Sequence, residues 1–488
     1  MHNVAAVLGY EQRKYTNSSI AASRYDLPEN NLLDQINAGD ASDQRNDGGM
    51  DENSIRSVFG RINYNFAERY LLEVTLRYDG SSRFPKNNRF ELFPSVSAGW
   101  RISEEDFFNF DPISNLKLRA SWGHLGNQEI GNYAYQNKYS LGRLYGFGNI
   151  MYSGIAENYS MSNSTIGWEN TEMVNAGLDL NMLNNRLSFT FDYFVRNTRD
   201  ILMSLPQPTI LGAYAPVINA GAVRNKGFEM QLGWNDQLKD FNYYANLSVS
   251  RVKDKITDLK GADTPGRSVG DPINNIFGLE AIGLFASEEE IKNAPNQDYT
   301  GGASPGDIRY KDQNGDKKIT AEDRVNLGNT FPGVTFGLQL GASYKGFDIA
   351  TTIHAVADVQ GYLTGTAAQA FANGASALEA QKDRWTPNNL NASYPRLSLN
   401  NASRNYTQTN SFFMENASYI KMRNLQIGYS LPKSILSNLF VEKCRFYVNA
   451  DNLFTITSFR GFDPETPWGG GNIYPMVTSY TFGLNLVF

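Results

Sequence analysis

The chain has 488 residues, a net charge of −6 from 44 basic and 50 acidic residues, and 13% aromatic residues. The basic residues form no tract, so no nucleic-acid partner is expected, and the single cysteine, Cys444, excludes an internal disulfide. No stretch reaches the roughly 18 apolar residues of a transmembrane helix. A transmembrane β-barrel fits this composition, because only alternate residues of its strands face lipid.

Apolar and polar residues alternate along much of the chain, which is the period of a β-strand. The pattern predicts about 14 strands, in chain order Asn3–Glu11, Val58–Phe66, Leu71–Asp79, Ser95–Ile102, Leu116–Trp122, Met173–Asn181, Leu187–Arg196, Gly227–Trp234, Asn242–Val252, Thr335–Tyr344, Phe347–Asp358, Ile420–Tyr429, Arg445–Leu453 and Thr478–Phe488. In the last strand, Leu484, Leu486 and Phe488 share one face and are expected to point outward. The alternation breaks within Ile420–Tyr429, which predicts a β-bulge there.

The predicted strands and connections have the lengths of an outer-membrane barrel. Most strands have about 8–12 residues, as a tilted membrane strand requires. Short turns near Ala67, Asn184, Asp236 and Lys345 alternate with long polar connections, a regular feature of these barrels. The long connections are roughly Gln12–Ser57, Gly123–Glu172, Asn197–Lys226, Lys253–Val334, Val359–Tyr419 and Thr455–Val477. The sequence therefore predicts an all-β, antiparallel meander that forms a transmembrane β-barrel.

Several segments, taken in order, resemble the SusC/RagA family of TonB-dependent outer-membrane transporters. They are HNVAAVLGYE, LKLRASWGHLGNQ, NKGFEMQL, GDIRYKDQNGDKKIT, FPGVTFGLQLGASYKGFDI, RWTPNN, YIKMRNLQIGYSLPKSIL, NADNLFTIT, GFDPET and the terminal Phe488. Each segment alone is weakly specific, whereas the ordered set spans essentially the whole chain.

The resemblance implies a barrel of about 22 strands that encloses an N-terminal plug. It also implies a SusD-like lipoprotein partner, energy from the TonB complex, and import of an oligosaccharide or oligopeptide across the outer membrane of a Gram-negative bacterium of the Bacteroidota. About 14 strands leave about eight missing, and no plug, TonB box or signal peptide is recognisable. We therefore expect residues 1–488 to be the C-terminal barrel part of such a transporter. We also expect the two terminal strands to leave an open wall, and the fragment alone not to transport.

A segment of the predicted long loop 254–333 resembles an EF-hand calcium loop, residues 312–323. Its oxygen ligands would be Asp312, Asn314, Asp316, the Lys318 carbonyl and Asp323, because alternate positions of an oxygen-rich turn can surround Ca²⁺. Two positions depart from the motif, since Lys317 replaces the usual glycine and Asp323 replaces the bidentate glutamate. The alternative is an Asn-Gly turn in an acidic loop.

Other residues give weaker indications of function. Trp385 and Trp468 are candidate aromatic platforms for a sugar or peptide, although packing roles would also explain them. The charged residues Glu73, Arg77, Asp79, Asp192 and Arg196 are expected to line the barrel interior as a hydrated, ion-paired wall. No catalytic motif occurs in the sequence, so enzyme activity is not expected.

Two other functional classes remain as alternatives. About 14 strands could close alone as a passive pore. A secreted, soluble glycan-binding β protein would also alternate, but its strands would be shorter and its loops more even in length.

Overall fold

The computed structural model describes the chain except for residues 30–34, 158–160, 206–207, 209, 211, 265, 400–402, 437–440 and 471–472. Its internal contacts define two units. The first comprises Met1–Ala98, Ser121–Met173 and Asn197–Ala222, and the second comprises Gly99–Ala120, Val174–Arg196 and Val223–Phe488. Within the described residues, no helix is both long enough and apolar enough to cross a membrane.

Fourteen strands belong to one large sheet, the number that the alternation predicted. In chain order they are β1 (His2–Arg24), β2 (Gln44–Phe66), β3 (Tyr70–Ser81), β4 (Phe90–Arg101), β5 (Ile113–Asn127), β8 (Glu169–Met182), β9 (Leu187–Ser204), β10 (Val217–Leu238), β11 (Phe241–Asp258), β16 (Val334–Tyr344), β17 (Phe347–Ala357), β20 (Tyr419–Ser430), β21 (Lys443–Thr457) and β23 (Ser479–Val487). Each strand neighbours the next one in this order, as in a meander.

The remaining elements lie in the connections. They are β6 (Tyr139–Phe147), β7 (Ile150–Glu157), β12 (Asn275–Leu279), β13 (Ala281–Leu284), β14 (Ile308–Tyr310), β15 (Arg324–Asn329), β18 (Gln360–Leu363), β19 (Met414–Asn416) and β22 (Trp468–Gly469), with the short helices α1 (Glu288–Asn293), α2 (Gly365–Ala368) and α3 (Lys433–Leu436). Pairs β6–β7, β12–β15 and β13–β14 form two-stranded sheets, and β19–β18–β22 forms a three-stranded sheet.

Several strands continue beyond the predicted limits, and this corrects three predicted connections. Most of the predicted connection Gln12–Ser57 is strand, because β1 pairs with β2 from His2 to Arg24. Strands β9 and β10 likewise extend into the connection 197–226, and the β6–β7 hairpin lies within the connection 123–172. Outside the membrane both faces of a strand are wet, so the alternation that identifies a strand in the sequence is lost there.

The short turns have the expected backbone. Lys345 and Gly346, between β16 and β17, both have positive φ values of 45° and 90°. Consecutive positive φ angles characterise the tight turns that join antiparallel strands, since their twist matches that of the strands. Ala67 and Glu68, between β2 and β3, show the same feature with φ values of 55° and 58°.

The two faces of the sheet differ in chemistry, as the last strands show. Leu484, Leu486 and Phe488 are exposed, together with Phe446 and Val448 of the paired strand β21. On the other face of the neighbouring strands, polar side chains bond to one another, such as Arg445 to Asp348 at 2.9 Å. Exposed apolar rows opposite a polar, hydrogen-bonded face are the pattern of a barrel wall in lipid. They exclude a β-sandwich in which these apolar side chains form the core.

The long connections of the second unit share an apolar core. It consists of Ile276, Leu279, Ile308, Tyr310, Ile319, Tyr362, Ala368, Tyr394 and Phe413. These residues come from the connections 259–333 and 358–418, which we call the loop module. The long connections of this unit are therefore folded structure, in contrast to the polar connections that the sequence suggested.

The first unit has a smaller core beside its strands. Phe84, Phe93, Ile166 and Trp168 are buried together. The Trp168 indole donates a hydrogen bond to the Arg89 carbonyl at 3.0 Å. This core joins residues at the end of the connection 128–168 to strand β4 and to the turn that precedes it.

Candidate functional site

The connection between β21 and β23, residues 458–478, is anchored to β20 through the carboxylate of Glu465; we call this connection the terminal loop. Glu465 accepts hydrogen bonds from Lys421 Nζ at 2.7 Å and from Arg423 Nη1 at 3.0 Å. The Tyr419 hydroxyl donates a third bond at 2.9 Å. The three donors stand at alternate positions of β20, so one strand supplies all three side-chain bonds to Glu465.

The cluster around Glu465 is shielded from water. The Lys421 side chain is only 3% exposed and also lies 3.5 Å from Asp463 Oδ1. Burial by itself raises the pKa of the Glu465 carboxyl, but the hydrogen bonds from Lys421, Arg423 and Tyr419 outweigh burial and hold that pKa below its usual value. Glu465 is therefore a carboxylate at neutral pH, and its charge compensates the two cations.

A β-bulge in β20 positions Arg423, and this confirms the bulge predicted from the broken alternation. Along β17, Thr352 pairs with Asn424 and Ile353 pairs with Met422, so Arg423 has no partner in that ladder. The ladder with β21 shifts at the same place. One extra residue reverses the direction in which side chains point, so Lys421 and Asn424 both lie on the polar face.

The terminal loop and the connection 358–418 enclose a cavity of about 330 Å³. Its apolar lining includes Leu363, Leu378, Phe459, Phe462 and Trp468. Such a volume lies at the lower end of the usual range for ligand pockets, roughly 300–1,000 Å³. It can hold a small ligand or one part of a larger one.

Trp468, one of the two tryptophans predicted as platforms, forms a wall of this cavity. Its ring stacks on Tyr362 with centroids 5.2 Å apart and an interplanar angle of 29°, and 52% of the residue remains exposed. Arg460 is the charged residue of the lining, and its guanidinium already donates to Glu415 at 2.7 Å. The cavity therefore presents an open aromatic face and a cation that is neutralised.

Trp385, the other predicted platform, lies elsewhere and packs inside the loop module. A Cβ atom on Gly306 would approach the Trp385 ring to 2.5 Å, so the ring lies directly on this glycine. Its indole nitrogen is buried without a hydrogen-bond partner among the described residues. These contacts fit a packing role for Trp385, and its role as an aromatic platform stays a prediction.

The EF-hand-like segment forms a compact turn built from its own side chains. Asp312 accepts backbone N–H bonds from Gly315 at 2.6 Å and Lys317 at 2.8 Å. Lys317 has a φ of 63°, so the position where the motif has glycine does adopt the left-handed conformation. Asp323 is fully buried, and its two oxygens accept from Gln313 at 2.8 Å and Thr320 at 2.7 Å.

The predicted calcium ligands therefore have structural partners of their own. Asp316 accepts a bond from the Lys318 N–H at 2.8 Å, and Asn314 accepts one from the Asp316 N–H at 2.9 Å. In the part of the chain that the structure describes, no three His, Cys, Asp or Glu side chains are grouped as metal ligands. The calcium site stays a prediction.

Some of the charges predicted to line the interior form ion pairs within their own units. Arg77 pairs with Asp79 at 2.8 Å in the first unit. In the second unit, Arg119 pairs with both Asp192 and Asp179 at 2.9 Å. These ion pairs are consistent with the expected hydrated, ion-paired wall. The same role for Glu73 and Arg196 stays a prediction.

Residues that sequence reasoning did not single out make up most of the site. Glu465, Lys421 and Arg423 lie in the segments GFDPET and YIKMR, which contributed only to the family resemblance. The broken alternation of β20 was the one local signal near them. No local sequence signal pointed to Tyr362 or Glu415, because their partners Trp468 and Arg460 lie far away in the sequence.

Comparison with known proteins identifies the family. The family model described as TonB dependent receptor-like, beta-barrel matches residues 2–453. TonB-dependent receptor P3 of Formosa agariphila is 29% identical over all of this chain and 51% of its own length. TonB-dependent receptor SusC of Bacteroides thetaiotaomicron is 30% identical over 89% of this chain and 46% of its own length.

A solved structure supports the same assignment. The structure of the RagAB peptide transporter matches with a TM-score of 0.84 at 26% identity, over 99% of this chain and 53% of the matched chain. The chain thus spans about half the length of the relatives that it matches. The family model, the relatives and the shared fold agree with the ordered sequence segments. The chain belongs to the TonB-dependent receptor β-barrel family, and among its members it is similar to those of the SusC/RagA type.

Proposed function

We propose that this chain forms the C-terminal barrel part of an outer-membrane importer for an oligomeric nutrient, an oligopeptide or oligosaccharide, in a Gram-negative bacterium of the Bacteroidota. In this proposal a SusD-like lipoprotein covers the extracellular side, and the TonB complex supplies energy through another part of the protein. Transport consists of binding and gated passage, and no covalent bond is made or broken.

The observation that carries the proposal is the similarity to the RagAB structure over 99% of the chain. The arrangement of the described residues is consistent with it. Apolar rows suit lipid, ion-paired rows suit a hydrated interior, and the loop module with the terminal loop offers a cavity for a ligand.

Uptake by intact cells tests the proposal. We expect deletion of the gene to abolish uptake of one labelled mixture, either oligopeptides or oligosaccharides, and complementation to restore it. An uncoupler that collapses the proton gradient should stop uptake of the same labelled mixture in wild-type cells, because the TonB complex depends on the energy of that gradient. Unchanged uptake of both mixtures after deletion would contradict the proposal, and uptake that resists the uncoupler would favour the passive pore.

We also propose that the segment 312–323 binds Ca²⁺ with modest affinity. Two observations support this. Asp312, Asn314 and Asp316 already curl the chain by bonding to backbone N–H groups within the segment. Ile319, at the usual apolar position of the motif, is buried in the core of the loop module. Each carboxylate oxygen has a second lone pair for a cation.

Calcium titration by calorimetry of the purified protein in detergent tests this site. We expect binding in the micromolar to millimolar range typical of weaker EF-hand sites. Asp312→Asn should weaken it about tenfold or more, since it removes the formal negative charge of one ligand of a hard cation. Glu379→Gln, at an exposed ion pair of the same unit, is the control. Absence of heat with Ca²⁺, or equal heat from Asp312→Asn, would contradict the site.

A further inference from the structure

We infer that the cavity between the terminal loop and the connection 358–418 is a selectivity pocket for an uncharged, apolar side chain of a peptide. This inference rests on the proposed importer and names the part of the substrate that this site recognises. It depends on the lining of the cavity, on the hydrogen bonds already made there and on the adjacent strand edge.

The lining suits an apolar group. Trp468 leaves 52% of its surface open, and Phe462 leaves 67% open. Leu378 adds an aliphatic surface to the same cavity. Three large, uncovered apolar side chains around one concave space gain free energy when an apolar group displaces water from them.

Three polar side chains of the lining are already engaged, and the Ser376 hydroxyl is a further polar group there. Arg460 is paired with Glu415. Thr366 Oγ1 donates to the Gly470 carbonyl at 2.8 Å, and Thr466 Oγ1 donates to the Asp463 carbonyl at 3.5 Å. No carboxylate or carboxamide side chain occurs among the described lining residues. A sugar ring carries several hydroxyls that need such partners, so the lining favours an apolar side chain over a sugar.

The backbone next to the cavity favours a peptide. Strand β22, which carries Trp468, is an edge strand of the sheet β19–β18–β22. Its inner side is used, because the Pro467 carbonyl accepts from the Tyr362 N–H at 2.9 Å and the Gly469 carbonyl accepts from the Thr364 N–H at 3.1 Å. An extended peptide can pair with the outer side of such an edge while a side chain enters the neighbouring pocket.

The pocket is held in shape before any ligand arrives. Glu465 fixes the terminal loop to β20, and the Glu415 carboxylate fixes Arg460 at its start. Gly361 allows the two segments to approach, since a Cβ there would lie 2.7 Å from the Pro467 carbonyl oxygen. Such preorganisation lowers the entropic cost of binding.

Binding of tetrapeptides to the purified protein in detergent tests the inference. The probes are Gly-Gly-X-Gly with X as leucine, phenylalanine, alanine or aspartate, and maltotetraose represents a glycan. We expect the leucine and phenylalanine peptides to bind about tenfold to a hundredfold more tightly than the aspartate peptide, as burial of one apolar side chain predicts. Trp468→Ala and Leu378→Ser should reduce the affinity for the leucine and phenylalanine peptides to that for the aspartate peptide.

Leu390→Ser is a matched control. Leu390 lies in the same connection as Leu378 with similar exposure, 52% against 49%, but outside the cavity lining. Heat-modifiable migration on gels shows that each variant is folded. Equal binding of all four peptides, no peptide binding, or maltotetraose binding that Trp468→Ala weakens would overturn the inference.

The two proposals fail in different ways. Uptake that persists in cells while purified protein shows no discrimination at X would overturn the pocket inference alone. Discrimination at X without energy-dependent uptake would overturn the importer and leave the pocket intact.

Discussion

Replacing Glu465 with glutamine should release the terminal loop from the sheet. The variant leaves Lys421 and Arg423 without their shared carboxylate in a shielded site. Breaking a buried ion pair by removing one partner costs roughly 3–5 kcal/mol, and we expect about 3 kcal/mol here because Asp463 still lies near Lys421. Hydrogen exchange measured by mass spectrometry should accelerate about a hundredfold for described amides of the terminal loop.

Two further variants separate charge loss from general damage. Glu379→Gln removes an exposed carboxylate whose side chain is 88% exposed, and it should leave exchange unchanged. Lys421→Met added to Glu465→Gln removes the buried cation and should recover part of the loss, since an apolar side chain of similar volume needs no counter-charge. Equal exchange in wild type and Glu465→Gln would show that Glu465 does not hold the loop.

The same carboxylate gives a pH dependence with a defined sign. The pKa of Glu465 is lower in the folded protein than its usual value of 4.5. Its stabilisation is therefore complete above the unfolded pKa and disappears as the pH falls through the folded pKa. Exchange of the terminal loop, corrected for intrinsic rates, should rise only below about pH 4.5, and Glu465→Gln should not show this rise.

Asp307→Asn should unfold the loop module locally. Asp307 accepts from Arg396 Nε at 2.7 Å and Nη2 at 3.1 Å, from Asn405 Nδ2 at 3.2 Å and from the Ser304 N–H at 2.9 Å. Burial raises the pKa of this carboxyl, whereas the bonds from Arg396 oppose that rise. The amide would present N–H donors to the guanidinium and leave it uncompensated, so we expect a loss of about 3 kcal/mol.

Exchange at Ile308 and Phe413, both buried in the core of the loop module, should report this loss. The conservative variant Arg396→Lys retains the charge but not the two parallel bonds, and its effect should be intermediate. Protection of these amides that survives Asp307→Asn unchanged would contradict a stabilising role for the pair. Glu379→Gln again serves as the control.

The membrane-spanning part of the fold was predictable because lipid imposes a pattern on the sequence. Lipid requires apolar residues on one face and tolerates polar residues on the other, so strands such as β16 and β17 had nearly correct limits. Beyond the membrane this requirement ends. The pairing of Thr16 with Glu52 and of Ile20 with Gly48 leaves no alternation that a sequence pattern could detect.

The loop module and the site were harder to predict for a different reason. Ile308 and Ile319 are isolated apolar residues in polar segments, and they join a core only when the connections meet. Trp468 was recognisable as a residue type, but its stacking on Tyr362 depends on a contact between distant segments. Local periodicity carries no information about such contacts.

The bulge at Arg423 limits which insertions and deletions β20 can accept. Because successive side chains alternate between faces, a deletion of one residue elsewhere in the strand would turn every side chain on one side of it around. Deleting Arg423 would remove the extra residue and restore plain alternation from Lys421 through Met422 to Asn424, so Lys421 and Asn424 would both stay on the polar face. Elsewhere in this strand, length changes should therefore be tolerated only as pairs of residues, whereas Arg423 is the position at which loss of a single residue keeps the polar and apolar faces of β20 unchanged.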